Sequence, residues 1–413
     1  MGGSMKHPSA SPPAPHERAA VLERARNKKM ARSPHAFVRG NTVQFYEWLS
    51  SLEGDRLPHG PPVWICGDCH VGNLGPVAEA AGRVRIQIRD LDHTVIGNPA
   101  HDLIRLALSL ASAARGSGLP GVTTARMLEA LMDGYESAFE HDFEEADDDI
   151  HQPKSVQLVM KRALKRTWKH LAKDRIKDSR PTIPLGKRFW PVSGDEQRAI
   201  ERLFHDDTIK RLATMVRSRD DDAGVEVLDS AYWMRGCGSL GRLRYAVLLG
   251  VTDTPSGDTD LCLMDIRGAV DSAAPAFIGA PKLEDAAQRV VEGARYISPF
   301  LGERMRATRL GNEPVFIREL LPQDLKVEID HLTTKQAMKA ARFLATVVGF
   351  AHARQMDLPA RSAWRDELGL YRTKTLDAPS WLWSSVVELL VNHERSHLEH
   401  CRRYAVDALP TSA

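Results

Sequence analysis

Long apolar runs are missing from this 413-residue chain. No stretch approaches the roughly 18 consecutive apolar residues that a membrane span needs, so no membrane partner is expected. Cysteine is scarce: five residues do not make the disulfide framework of a small secreted domain. A surplus of charge of one sign is missing too. Lys and Arg number 56 against 54 Asp and Glu, a formal net charge of +2, which gives no global case for nucleic acid or an anionic membrane. No internal repeat is visible. The opening MGGSMKHPSASPPAPHERAA lacks an apolar h-region, so no secretory signal is expected and the cytoplasm is the expected compartment. Its richness in Pro, Ser and Ala makes residues 1–16 an expected disordered tail.

What remains is ordinary globular composition, 43% hydrophobic and 27% charged. The length allows two or three domains at roughly 100–200 residues each. Residues 17–53 read as helix, with Phe37, Val38, Phe45, Trp48 and Leu52 as core candidates. VWIC (63–66) reads as a short strand, and Arg83 to Asp90 alternates as another, with Val84, Ile86 and Ile88 on one face. HDLIRLALSLASAA (101–114) is an apolar, buried helix; Thr123 or Thr124 is placed to cap the next one. Residues 140–149 are acidic. Residues 161–180 carry nine Lys or Arg against two Asp, with Met160, Leu164, Trp168 and Leu171 as an apolar stripe. That segment is a solvated helix docked by its stripe or, on the less favoured reading, a surface for nucleic acid or another anion. Strands follow at 244–269 and 315–320, with a helix at 282–297 between them. From Thr333 the chain is helical nearly to its end, broken near Pro359 and Pro379.

The chemistry gathers in ICGDCHVGNLG (65–75), where Asp68 precedes Asn73 by five residues. Kinase catalytic loops use this spacing: a carboxylate takes or orients a hydroxyl proton, and a neutral amide oxygen holds a hard cation. Asp90 ends the strand 22 residues later, where a carboxylate beside Asn73 completes a metal site. Asp92 is a spare carboxylate on the same face, and Asp102 opens the apolar helix, where capping accounts for part of its presence. GCGSLG (236–241) places Gly236, Gly238 and Gly241 before a strand, as in a loop over ATP phosphates; a plain glycine turn is the bland reading. Cys66-x-x-Cys69-His70 also matches the c-type haem signature, but no second pair of cysteines exists to make a zinc site, and no export signal accompanies it.

Gly67 through Asn73 resembles the G-D-x-H-x-x-N catalytic loop of aminoglycoside phosphotransferases, and Asp90 through Arg105 resembles the metal-binding stretch that follows it. Cys66 stands where that family usually has His, and Arg267 where it has Lys. The resemblance implies a catalytic Asp68, a metal pair in Asn73 and Asp90, and His70 as a loop anchor. It places Gly236, Gly238, Ser239, Gly241 and Arg267 on the nucleotide, with Glu292 (or Glu284) orienting Arg267.

Over roughly residues 20–405 the chain is also identified as a member of the bacterial domain-of-unknown-function family 2252. KMARSPHAFVRG (29–40), DLDHTVIGNPAHDLIRLA, GSLGRLRY, RVVEGAR and GFAHARQMD carry that resemblance. The Gly-rich loop follows the catalytic loop instead of preceding it, and helix 333–356 resembles the one that normally leads into that loop, so a circular permutation is expected. The expected fold is α+β and kinase-like in two lobes: a helical lobe from 17–224 completed by 323–413, and a β-rich lobe at 225–322. ATP and Mg²⁺ are the expected cofactors and a small hydroxyl compound the expected acceptor. A nucleotide-binding pseudokinase is the alternative, with a nucleic-acid binder using 161–180 as the less favoured one.

Overall fold

A computed structural model describes residues 12–53, 56–140, 152–165, 181–215, 219–220, 222–234, 242–252, 259–321, 333–369, 372 and 378–404. The expected helix 17–53 is three helices: α1 (Arg18–Met30), α2 (Pro34–Gly40) and α3 (Thr42–Ser50). The breaks are chemical. Ser33 accepts the Ala36 N–H as an N-cap with Pro34 in the first turn, and Asn41 caps α3 by accepting from Gln44 N–H.

Four short strands follow: β1 (Val63–Ile65), β2 (Leu74–Ala78), β3 (Val84–Ile88) and β4 (Val95–Gly97). Helix α4 (Ala100–Gly116) is apolar on nearly every side; Leu103, Ile104, Leu106, Ala107 and Leu108 are all at 0% exposure. A helix without a polar face belongs in the middle of a core. It is surrounded by α5 (Gly121–Ser137), α11 (Thr334–Ala353) and α13 (Ser380–Tyr404) in one continuous cluster, to which α12 (Leu358–Gly369) adds Trp364. α5 starts at Gly121 after Pro120, so Thr123 and Thr124 lie inside it and cap nothing. Helix α6 (Lys154–Lys165) seats Val156 and Met160 in the same cluster; Leu164, Trp168 and Leu171 of the expected stripe lie outside the described side chains.

The second half is a six-stranded antiparallel sheet of order β5-β6-β7-β8-β10-β9. Its strands are β5 (Phe189–Pro191), β6 (Gly224–Trp233), β7 (Arg244–Thr252), β8 (Thr259–Gly268), β9 (Met305–Leu310) and β10 (Glu313–Glu319). β6, β7 and β8 pair in sequence, and helix α9 (Ala286–Ile297), with the short α10 (Pro299–Gly302), lies between β8 and β9. Helices α7 (Gly194–Leu203) and α8 (Asp207–Thr214) cover the sheet through Ile200, Phe204, Ile209 and Leu212. Residues 189–214, grouped with the helical lobe by sequence, thus pack on the sheet. Among the described residues, no helix is long and apolar enough to cross a membrane.

His93, His101 and His393 are each lowered to about 4 by burial. A histidine whose folded pKa lies below its unfolded 6.5 refuses a proton that the unfolded chain accepts. Its contribution is therefore complete above pH 6.5 and is lost as pH falls toward 4. At pH 5 the loss is roughly 2 kcal/mol per histidine. Denaturant unfolding at pH 7.5 and pH 5 should show this loss, with a shallower pH slope in His393→Gln. Parallel slopes for the wild type and the variant would remove His393 from the account.

Candidate active site

Two short ladders set the geometry. β1 pairs with β4, Ile65 opposite Val95, and β2 pairs with β3, Leu74 opposite Ile88. The loops 66–73 and 89–94 are thereby held at both ends and lie side by side. The Arg89 N–H donates to the Asn73 carbonyl at 2.9 Å, and the Thr94 hydroxyl donates to the Ile65 carbonyl at 2.6 Å. Gly67 sits at φ 73°, and a Cβ there would lie 2.0 Å from the His93 carbonyl oxygen. Glycine is required on both counts.

Asp102, in the first turn of α4, does more than complement its own helix. Its carboxylate accepts the backbone N–H groups of Cys66 at 2.7 Å and Gly67 at 3.0 Å. His352 Nε2 on α11 lies 3.2 Å from the same carboxylate, and Tyr135 on α5 approaches His352 Nδ1 at 3.0 Å. The Trp364 indole N–H on α12 donates to the Tyr135 oxygen at 3.0 Å. The Nε2–H tautomer of a neutral imidazole satisfies every member: Tyr135 donates to Nδ1 and Nε2–H donates to Asp102. Burial lifts the Tyr135 hydroxyl well above its ordinary pKa, which keeps it a donor. Loop 66–73 is thus tied by hydrogen bonds to four helices of the core.

Asn73 joins the two loops. Its Nδ2 donates to the Asp68 carbonyl at 3.1 Å and to the Asp90 carbonyl at 2.9 Å. Both donors of the amide are spent on backbone, which leaves its oxygen as the acceptor. Asp68 is held from behind: Arg105 Nε and Nη2 both lie 3.0 Å from its Oδ1, and His70 Nε2 is 3.8 Å from Oδ2. Burial raises the Asp68 pKa, with the Arg105 guanidinium opposing the rise. Its side chain keeps 17% exposure, so the carboxylate still meets the surface.

From the sheet, Arg267 on β8 reaches Asp90 Oδ1 at 3.1 Å and Asp92 Oδ2 at 3.0 Å. Arg242 adds a contact to Asp92 Oδ2 at 2.8 Å. Burial disfavours the Asp90 charge, but the guanidinium of Arg267 outweighs it and holds Asp90 below the usual carboxylate range. Burial and the neighbouring Asp90 charge move Asp92 the other way, above its ordinary value. Asp92 Oδ1 is buried with no hydrogen-bond partner among the described residues. Two converging carboxylates, an orphaned oxygen and a free amide oxygen are a donor set that fits a hard divalent cation.

The structure therefore brings Asp68, His70, Asn73, Asp90, Asp92, Asp102 and Arg267 together. Glu292 is not among them. Its carboxylate pairs with Arg295 at 2.9 Å on the exposed side of α9, and Glu284 precedes that helix, whose N-cap is Asp285. The α9 residue that does reach the site is Arg289, which donates to the carbonyls of Asp92 at 2.9 Å, Val270 at 2.7 Å and Thr94. Gly236, Gly238, Ser239 and Gly241 lie outside the described residues; the strands they join, β6 and β7, pair up to Tyr232 opposite Tyr245. Cys66 and Cys69 are fully buried, burial pushes the Cys66 thiol up, and no cluster of three His, Cys, Asp or Glu suited to a metal occurs among the described residues.

Sequence reasoning missed Arg105, Arg242, Arg289, Tyr135 and His352. Arg105 stood in view, three residues after Asp102, and His352 stood within GFAHARQMD. Their partners are distant in sequence, so nothing local marked them.

The described architecture is a mixed α+β protein in which a six-stranded antiparallel sheet faces a helical core across two ladder-held loops. The chain belongs to the bacterial family described as "uncharacterized protein conserved in bacteria" (DUF2252), whose model matches residues 18–403. No curated protein and no solved structure matches it.

Asp102→Asn replaces an anion that accepts from two backbone amides and an imidazole by an amide whose nitrogen cannot accept. The expected loss is about 2–4 kcal/mol in urea unfolding. A loss within roughly 0.5 kcal/mol of zero, the range of a neutral surface change, would show that Asp102 does not hold the loop.

Proposed function

We propose that the chain is a kinase-like phosphotransferase that uses ATP and Mg²⁺ on a hydroxyl acceptor, in a circularly permuted two-lobed fold. The observation that carries this reading is Asn73. Its amide nitrogen clamps the backbone carbonyls of Asp68 and Asp90, which leaves its oxygen as an acceptor in the loop that adjoins Asp90, as a metal ligand in a catalytic loop must be. The architecture supports the same reading. The β6–β7 connection carries the Gly-rich segment, β8 carries the cation Arg267, and a helix follows β8, which is the order of parts in a kinase nucleotide lobe. Arg267 pairs with Asp90 at 3.1 Å, so the cation and the carboxylate proposed to hold metal adjoin.

Asn73 and Asp90 would hold Mg²⁺, which would supply positive charge to neutralise the charge that develops during transfer. Asp68 orients the acceptor hydroxyl and takes its proton as the acceptor oxygen bonds to the γ-phosphorus and the bond to ADP breaks. Its raised pKa suits proton acceptance. Arg105 holds Asp68 in place and limits that rise. Arg267, paired here with Asp90 and Asp92, would exchange these partners for the phosphates when nucleotide binds.

One observation favours the pseudokinase alternative: Arg267 is committed to two carboxylates at once. Calorimetric titration of ATP with and without Mg²⁺ tests the metal pair. Asp90→Asn should abolish the Mg²⁺-dependent gain in affinity while the protein melts normally, and Asn73→Ala should abolish it with a lowered melting temperature, because it also removes the two hydrogen bonds that join the loops; unchanged metal dependence in both would remove the kinase reading. Turnover separates enzyme from pseudokinase. Asp68→Asn should retain ATP binding and lose roughly 10²–10⁴ in transfer rate, the range for a general base. Wild-type turnover in a variant that binds and melts normally would end the catalytic assignment.

A further inference from the structure

The buried arginines of this fold have partners. Arg18 pairs with Glu196, Arg219 with Glu319, Arg244 and Arg318 with Asp265, and Arg267 with Asp90 and Asp92. Arg39 is different. It lies in the last turn of α2, which is anchored by the buried Phe37 and Val38. Its side chain is half-buried, its Nε is closed off from solvent, and it makes no hydrogen bond or ion pair among the described residues.

Its position is set by the catalytic-type loop. A Cβ built on Gly72 would lie 2.6 Å from Arg39 Nη2 and 2.7 Å from its Cζ. The guanidinium therefore rests on the bare Gly72 backbone, one residue before Asn73 and four after Asp68. The carbonyls on either side of Arg39 in α2 are already occupied: Arg105 Nη2 donates to the Val38 carbonyl at 2.6 Å, and Arg26 Nη2 donates to the Gly40 carbonyl at 2.8 Å. Three guanidinium groups thus meet at the end of α2. Of these only Arg105 has a carboxylate among the described residues, and that carboxylate is Asp68. Three arginines against the one carboxylate of Asp68 leave net positive charge at this end of α2. The helix end accounts for part of this, since a cation complements the last carbonyls of a helix. It does not account for a buried N–H left without an acceptor, which costs about 1–3 kcal/mol.

We propose that Arg39 binds an oxyanion, a phosphate or carboxylate group carried by the acceptor beside Asp68. A planar fork of N–H donors matches either group in a bidentate contact. The anion site stands on the geometry of Arg39 and Gly72; its assignment to the acceptor rests on the phosphotransferase reading. The substrate class follows: an anionic hydroxyl compound rather than a polycationic one, because Arg26, Arg39 and Arg105 would repel a cation.

The test is calorimetric titration of the full chain with inorganic phosphate and, separately, with acetate. The wild type should bind at least one of them. The stronger probe identifies whether the acceptor group is phosphate or carboxylate. Arg39→Ala should weaken that binding tenfold or more, and Arg39→Lys should retain part of it. Gly72→Ala keeps the charge but displaces the guanidinium, and should weaken binding by a similar factor should Arg39→Ala fail to fold. ATP affinity, measured on the same preparations, should stay unchanged in Arg39→Ala. Absence of binding to the wild type, or equal binding in both variants, would overturn the anion site whatever ATP does. Loss of ATP binding by the wild type with the anion site intact would instead overturn the phosphotransferase reading alone.

Discussion

The carboxylate of Asp102 is the constraint on which the rest depends. It spends its lone pairs on two consecutive backbone amides, those of Cys66 and Gly67, at the point where β1 ends and the loop turns. An N–H pair in a dry interior needs a strong acceptor, and an anion supplies one. The anion needs a donor of its own, and His352 provides it from a helix some 250 positions away in sequence. Tyr135 and Trp364 complete the chain, so four segments of the polypeptide must all be folded before the loop has its shape. The loop is accordingly a property of the whole helical core, and its precision is inherited from close packing around α4.

From that fixed point the site is assembled by pairs of short contacts. The β1–β4 and β2–β3 ladders bring loop 89–94 against loop 66–73, and Asn73 staples them. Arg289 then ties the backbone of 92–94 to the sheet-side helix α9. Arg267 and Arg242 tie the side chains of Asp90 and Asp92 to the sheet itself. The two halves of the molecule therefore meet through these charge pairs and through apolar packing, since Val290, Val291, Ile297, Leu301 and Phe316 belong to the same cluster as the helical core.

Much of this was legible in the sequence. The D-x-x-x-x-N spacing and the Asp90 strand end are local, so sequence brought Asp68, Asn73 and Asp90 within reach of one another. The apolar run 101–114 announced a central helix, and the periodicity of 282–297 announced α9. Other features were not local. The Ser33-Pro34 and Asn41 caps cut one expected helix into three, although the cap residues were there to be read. Strands β5 and β9 are short, and β6 carries acidic residues on its exposed half, so hydrophobic alternation did not mark them. The resemblance points to Glu292 because a helix after the strand of Arg267 should supply an acid. The helix face that meets the site instead presents Arg289, which seeks loop carbonyls, while Arg267 finds its carboxylates on the opposite lobe. Partner choice among buried charges is a tertiary fact, and single-sequence spacing does not contain it.

The central claim is that Asn73 and Asp90 form one divalent-cation site that takes its cation together with a nucleotide. Electron paramagnetic resonance of Mn²⁺ reads this directly, because protein-bound Mn²⁺–ATP gives a spectrum distinct from Mn²⁺–ATP free in solution. On titrating the full chain into Mn²⁺–ATP, the account predicts a saturable bound signal that requires ATP and is missing in Asn73→Ala. A Mn²⁺–ATP spectrum that the wild-type protein leaves unaltered would contradict it.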